Sequence, residues 1–307
     1  MPLGADRRGA DLWTLFIDHA RPLKFGEGVL VEKEGRAGLA VVTGAAGGIG
    51  SAVAHALCRD GWSLLICDLD PTGLEQTAAT LQEEGGVVGH VAGNVSDSGF
   101  VDALLQAIGD RPVGAVVTAA GLSPANADAE AILRANYDGT VGVVRALLPL
   151  LADNSTVVLI GSVAAHMQHI PEEVEAIFRN LQLCDGSSAL AEFATSAEMA
   201  YSISKLGIVR LAEREAVTFG SRGARVIALS PGFIDAGMGT SQKINTRNSW
   251  IDEIIAQMAL ARKGSPEEIA RTVGFLCSDL ASYISGCEIL VDGGFRAAFQ
   301  KSRESRG

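Results

Sequence analysis

The chain has 307 residues, 48% of them hydrophobic and 20% charged, with 36 glycines and a net charge of −11. That length and apolar content supply a large core, as one α/β domain or as two smaller ones. The acidic balance, with no clustered Lys/Arg, argues against a nucleic-acid or anionic-membrane partner, because phosphate binding needs concentrated positive charge. The five cysteines (Cys58, Cys67, Cys184, Cys277, Cys287) are odd in number and scattered, as expected of free thiols in a reducing compartment rather than a disulfide framework or zinc site. Apolar runs are strand-length or broken by charge, and the N-terminal stretch lacks a clean apolar signal region. The expectation is a cytoplasmic protein that neither spans nor binds a membrane.

Residues 1–37 stand apart as an N-terminal extension, with "DLWTLFIDHA" a short amphipathic helix and a polar, glycine-rich stretch after it. From residue 38 to 307 one domain is expected. "LAVVTG" is a β-branched, apolar strand ending at glycine, and "SAVAHALCRDG" follows with helical periodicity and a glycine stop. "SLLICD" is the second strand and "PTGLEQTAATLQEEGG" a helix opened by proline. "VVGHVAGNV" and "GAVVTAAG" are two further buried strands, separated by the helix "SDSGFVDALLQAIGD". A long helix is expected over about 129–150, then strands "STVVLIGS", "ARVIALSPG" and "EILVDGG". Apolar strands alternating with amphipathic helices predict an α/β fold: a single doubly wound parallel sheet of about seven strands, helices on both faces. Ligands of such sheets bind at the carboxyl ends of the strands, beside the point where strand order reverses.

Gly44, Gly48 and Gly50 lie between the first strand and its helix. Close approach of a pyrophosphate needs backbone without Cβ atoms, and a helix N-terminus offers free N–H groups to the anion. Asp68, at the end of the second strand, stands about 20 residues on, where a carboxylate accepts hydrogen bonds from a ribose diol and repels a 2′-phosphate. The turn residues Ala45, Ala46 and Gly47 offer no cation. NAD(H) is therefore expected over NADP(H).

With these motifs in order, the chain resembles the short-chain dehydrogenase/reductase family. The resemblance is carried by "TGAAGGIG" (43–50), "TAAG" (118–121), "ANYDG" (135–139), "GSVAA" (161–165), "YSISK" (201–205) and "SPGFI" (230–234), and spans roughly residues 38–296. It implies a Rossmann-like sheet and a catalytic set of Asn136, Ser162, Tyr201 and Lys205. Tyr201 would be the general acid/base. Free phenol, with a pKa of about 10, needs a nearby cation to serve near neutrality, and Lys205 lies one helical turn away. Ser162 would hold the substrate oxygen and Asn136 a water behind Lys205. The implied cofactor contacts are Gly44, Ala46, Gly48, Ile49, Gly50, Asp68, Leu69, Asn94, Val95, Ala119, Ala120, Gly121, Tyr201, Lys205, Pro231, Gly232 and Ile234. Thr118 and Ala119 replace two asparagines of the family pattern, Asn94 replaces an aspartate, and Ala236 replaces a threonine that helps hold the carboxamide.

The stretch from Ser162 to Tyr201 is far longer than the family's usual spacing, so residues 163–198 read as an insertion near the active site, with a helix at 171–183. It resembles that of the 3α-hydroxysteroid dehydrogenase/carbonyl reductase branch. Met167, Ile170, Ile177, Phe178, Leu181 and Leu183 either wall an apolar pocket or form the insertion's own core. Residues 235–262 read as a substrate lid, with Met238, Ile244 and Trp250 as contacts and Gly237 and Gly239 as hinges. Substrate contacts are assigned to Ser162, Ala164, Met167, Tyr201, Met238 and Trp250. His166 and His169 are left as wall or surface residues, since no carboxylate or Cys in the sequence completes a metal site.

The resulting reading is an NAD(H)-dependent oxidoreductase that interconverts a hydrophobic, steroid- or terpenoid-like secondary alcohol and its ketone, as a homo-dimer or homo-tetramer. A C=C reductase or epimerase on the same scaffold, and a non-catalytic NAD-binding regulatory protein, remain the alternatives.

Overall fold

Alternate residues of the first strand, β1 (Leu39–Thr43), enter two different cores: Leu39 and Val41 one, Ala40 and Val42 the other. A parallel strand covered by helices on both faces must be apolar on both, and β1 is buried at every position. The computed structural model describes residues 38–86, 88–180, 187–235 and 249–304, all within one unit, Gly35–Gly307. Expectations for residues 1–37, Leu181, Leu183, Cys184, Ala236, Gly237, Met238, Gly239 and Ile244 lie outside the described residues, as does the side chain of Trp250.

Along the chain follow α1 (Gly48–Arg59), β2 (Ser63–Asp68), α2 (Pro71–Glu83), β3 (Val88–Ala92), α3 (Ser98–Ile108) and β4 (Val113–Thr118). Then come α4 (Ala129–Leu133), a π-turn (Arg134–Asp138), α5 (Gly139–Leu147), β5 (Leu151–Ile160), a 3₁₀ turn (Val163–His166) and α6 (Glu172–Asn180). The last part carries α7 (Ala197–Gly220), β6 (Arg225–Pro231), α8 (Ser249–Gln257), α9 (Pro266–Leu276), β7 (Cys287–Val291) and α10 (Phe295–Glu304). Local chemistry sets several helix starts. Asp70 caps α2 by accepting the Thr72 N–H, with Pro71 at the first helical position. Ser196 caps α7 through the Met199 N–H, and Ser265 with Glu268 closes a capping box on α9.

All pairings are parallel, in the order β3-β2-β1-β4-β5-β6-β7. The order reverses between β1 and β4, which opens a crevice beyond their carboxyl ends. One core, including Phe100, Leu104, Tyr137, Phe178 and Phe219, lies under α3 to α7; the other, including Val53, Leu57, Leu74, Ile269 and Leu276, lies under α1, α2 and α9.

Two expectations are corrected. The β3 strand is not buried: it is the sheet's outer edge and is half-exposed along its length, as is β7 at the other edge. The helix expected over 129–150 is interrupted, because the π-turn at Arg134–Asp138 adds a residue to one turn and re-aims Asn136 inward.

Candidate active site

A cleft of about 620 Å³ opens at the switch point. Of the residues expected to hold the cofactor, it brings together Gly44, Ala46, Asp68, Leu69, Asn94, Val95, Ala119, Ala120 and Gly121. Sequence reasoning missed Gly47, Asp70, Gly93, Ser96, Leu122, Asn126, Ala131, Arg134 and Ala135 on the same wall. A signal for the last three existed: 131, 134 and 135 share one helical face just ahead of Asn136.

The glycine loop fits a phosphate-bearing dinucleotide. Gly44 has φ +74°, and a Cβ there would stand 2.6 Å from the Ala119–Ala120 backbone. A Cβ on Gly50 would meet the Gly44 carbonyl oxygen at 2.0 Å, so the helix reaches the loop only because that position is bare. The N-cap of α1, Gly47, has no capping side chain, and the first turn carries no acid to compete with an anion. The Asp68 carboxylate accepts the Ala46 N–H on one oxygen and the Asp70 N–H on the other, both at 2.9 Å. Asn94 is held in a tight turn by the Ser96 N–H (3.1 Å) and hydroxyl (2.8 Å). The Thr43 hydroxyl accepts the Ala120 N–H at 3.2 Å and ties β1 to the segment after β4.

Gly48, Ile49 and Gly50 lie behind this wall; the Ile49 side chain packs into the core under α1, leaving only its backbone near the loop. Pro231 ends β6, the Gly232 N–H donates to the Val291 carbonyl at 3.0 Å, and Ile234 pairs with Gly264.

Tyr201 and Lys205 sit on one face of α7. The Ser162 hydroxyl lies near enough to the Tyr201 phenol to favour its ionised form, and the Lys205 ammonium lies 5.7 Å from the Tyr201 ring centre. Lys205 is buried and donates to the Ile160 carbonyl at 2.9 Å. Burial holds its ammonium down to about 8 and pushes the Tyr201 phenol above its usual value, an effect that the Ser162 hydroxyl only partly offsets. The expectation that Lys205 lowers the phenol is thus not met in this structure: the ammonium is directed at the Ile160 carbonyl, and desolvation dominates. A Cβ on Gly121 would stand 3.0 Å from Asn136 Oδ1 and 3.8 Å from Lys205 Nζ, so the cleft floor adjoins this group.

Asn136 clamps that floor. Its Oδ1 accepts the Leu122 N–H at 2.6 Å, and its Nδ2 donates to the Leu122 carbonyl at 3.0 Å and the Ser204 hydroxyl at 3.4 Å. Its amide is therefore engaged with protein on both atoms. Ser204, which sequence reasoning did not single out, donates to the Tyr201 carbonyl at 2.8 Å.

Residues 163–198 divide. Phe178 is fully buried, 5.7 Å from the Tyr137 ring, and Ile170 and Ile177 pack on the same core. These three are core residues rather than pocket wall. Glu175 pairs with Arg210 through two bonds of 2.8 Å, and Ser187 holds Asp138 through its N–H (2.6 Å) and hydroxyl (2.8 Å). Met167 instead joins Val163, Ile254, Met258 and Phe295, beside half-buried Ala164. His166, expected as a wall or surface residue, is bonded to the Glu288 carboxylate. Among the described residues no three His, Cys, Asp or Glu side chains gather as a metal site requires, and no helix is long and apolar enough to cross a membrane.

A doubly wound sheet with a glycine-lined crevice and a Ser–Tyr–Lys group beside it defines a nucleotide-dependent oxidoreductase architecture. Comparison gives the family. Residues 38–173 match the model for short chain dehydrogenase, and residues 183–296 the model for enoyl-(acyl carrier protein) reductase. The chain is 30% identical over 269 residues to the (3R)-3-hydroxyacyl-CoA dehydrogenase of Canis lupus familiaris, covering 84% of this chain and 96% of that protein. It is 29% identical to the cis-4-hydroxycyclohexanecarboxylate dehydrogenase of Sinomonas cyclohexanicum, with the same coverage. Among solved structures, a short-chain type dehydrogenase/reductase from Mycobacterium ulcerans matches with a TM-score of 0.69 at 22% identity, over 86% of this chain and 91% of that one. The chain belongs to the short-chain dehydrogenase/reductase family and is an oxidoreductase of that family. Its family binds NAD(P)(H).

Proposed function

We propose that this protein is an NAD(H)-dependent dehydrogenase/reductase that interconverts a hydrophobic secondary alcohol and its ketone. The observation that carries the reading is the grouping of the Ser162 and Tyr201 hydroxyls with buried Lys205 beside the cleft floor at Gly121.

Bound nicotinamide would accept a hydride from the alcohol carbon or return it to the ketone. The chain's own part is the proton. Tyr201 takes the hydroxyl proton during oxidation and returns it to the carbonyl oxygen during reduction, while Ser162 holds that oxygen and steadies its charge. Lys205, with its ammonium anchored on Ile160, holds the cofactor ribose. Asn136 keeps the floor at Leu122 in place. The carboxylates of Asp68 and Asp70 at the end of β2 favour a free ribose diol over a 2′-phosphate, which supports NAD(H).

The relatives at 29–30% identity are named for oxidising hydroxyacyl and cyclic hydroxy substrates, which favours secondary alcohols. The apolar group of Val163, Met167, Ile254 and Met258 beside Ser162 favours a hydrophobic, steroid- or terpenoid-like skeleton. In this reading residues 1–37 are an extension, 163–198 an insertion that braces the site, 235–262 a lid bringing Met238 and Trp250 to the substrate, and the protein a homo-dimer or homo-tetramer. The carboxyl-terminal match to an enoyl reductase model favours, as second reading, C=C reduction on the same scaffold. Following NADH absorbance across cyclic secondary alcohols, ketones and enoyl thioesters tests both: turnover of ketones supports the first, turnover of enoyl thioesters alone replaces it with the second, and none overturns both.

A further inference from the structure

The 3₁₀ turn that carries Ser162 has an anchor at its far end that the catalytic set does not include. His166 Nε2 lies 2.9 and 2.8 Å from the two carboxylate oxygens of Glu288. Both side chains are largely shielded, with 19% and 11% of their surface exposed. Glu288 stands inside the edge strand β7, in register with Ala228 of β6, on the sheet face that packs under α7. It is the only charged residue of "CEILV", and a carboxylate in such a place is costly unless paired. Burial pushes the Glu288 carboxyl up, yet the bond from His166 and the charge of Arg296 on α10 bring it below its usual value.

The turn needs such an anchor. It spans four residues and has few bonds of its own: the Ala165 N–H to the Ser162 carbonyl (3.1 Å) and the Met167 N–H to the Ala164 carbonyl (3.2 Å). Ser162 is its N-cap, and the Ser162 hydroxyl oxygen accepts the Ala164 N–H at 3.1 Å. The hydroxyl that meets Tyr201 is therefore oriented by the first turn of this helix. On the upstream side the chain is fixed by the sheet, through the Gly161 N–H to the Leu229 carbonyl at 2.7 Å. On the downstream side the chain runs on from His166 towards α6.

We propose that His166 and Glu288 are a positioning pair that clamps this turn to β7 and so holds the Ser162 hydroxyl in place beside Tyr201. The proposal rests on the oxidoreductase reading of Ser162 and Tyr201. Neither residue of the pair touches the reacting atoms; the pair isolates Ser162 from movement of the chain beyond His166. Displacement of a reacting group by about 1 Å costs up to ~100-fold in rate, so a small loosening is kinetically visible.

The test uses the full chain and its best ketone, with His166→Ala, Glu288→Ala, the double variant and Glu288→Gln. His166→Ala and Glu288→Ala are each expected to lower kcat by about tenfold or more. NADH affinity, read by nicotinamide fluorescence, stays within about twofold, and the double variant is no worse than either single one. Glu288→Gln, whose amide oxygen still accepts from His166, keeps kcat within about threefold. Amide hydrogen exchange over 163–167 rises in the Ala variants and not in Glu288→Gln. Unchanged kcat in His166→Ala, additive losses in the double variant, or a parallel loss of NADH affinity would each overturn the proposal. If the wild-type protein turns over nothing, the oxidoreductase reading fails, while exchange over 163–167 still decides whether the pair holds the turn. Unchanged exchange sinks the clamp itself.

Discussion

The carboxylate of Asp68 accepts the backbone N–H of Ala46 at 2.9 Å, so the acid at the end of β2 also shapes the glycine loop after β1. The side chain expected to select the cofactor therefore also holds the loop geometry. Replacing Asp68 with Ser and its exposed neighbour Leu69 with Arg exchanges a repulsive carboxylate for a phosphate-binding guanidinium. The ratio of kcat/KM for NADH to that for NADPH is expected to fall by about 100-fold or more, roughly 3 kcal/mol. Steady-state rates with both cofactors decide it; an unchanged ratio removes Asp68 from cofactor selection.

Tyr201→Phe is expected to abolish turnover in both directions, a loss of about 10²-fold or more, while NADH binding persists. Because burial keeps the phenol above its ordinary value, oxidation, which needs the phenolate, should accelerate as pH rises past neutrality. Reduction, which needs the phenol, should hold at neutral pH. Ser162→Ala removes the hydroxyl that offsets burial, so the alkaline limb should move to higher pH as the rate falls. A limb that moves down instead would contradict this order of effects.

Lys205 illustrates a function that costs stability. Its folded value of about 8 lies below the ordinary lysine value, so between about pH 8 and 10 the unfolded chain binds more protons than the folded one. Stability therefore rises with pH across that window as the penalty of the buried charge is relieved, and the penalty is fully present below about pH 8. Lys205→Met should raise the melting temperature at pH 7, by about 1 kcal/mol of stability, and remove activity. The wild-type deficit should shrink between pH 8 and 10. Scanning calorimetry of both proteins at several pH values measures it, and a less stable variant at pH 7 would refute it.

Phe178 fastens α6 to the core of the domain. It is fully buried against Tyr137, and a Cβ on Gly207 of α7 would stand 2.7 Å from Tyr137 and 2.8 Å from Phe178. Phe178→Ala should cost about 3–5 kcal/mol, and Gly207→Ala about 1–3 kcal/mol through overpacking. Urea titration reports both, and small effects would mean that α6 is held by its polar ties alone.

Legibility in the sequence followed the range of the interaction. The seven strands, the glycine loop, Asp68 and the Tyr201–Lys205 spacing were readable because periodicity and turn chemistry act within a few residues. The half-exposed β3 and β7 were not, since an apolar run does not state whether its strand has one neighbour or two. The role of Phe178 was equally open, because an apolar residue on a short helix fits a pocket wall and a core alike until its partner, Tyr137, is known.

The sequence by itself determined the doubly wound sheet and the family, and it named the candidates for moving a proton, because each is written in local spacing and residue chemistry. Only tertiary structure decided that Asn136 grips Leu122, that Arg134 and Asp70 reach the cleft, and that His166 meets Glu288. The last of these joins residues 122 apart in the chain and has no local encoding: it exists because the strand order brings separate βαβ units together, where buried polar groups must find partners.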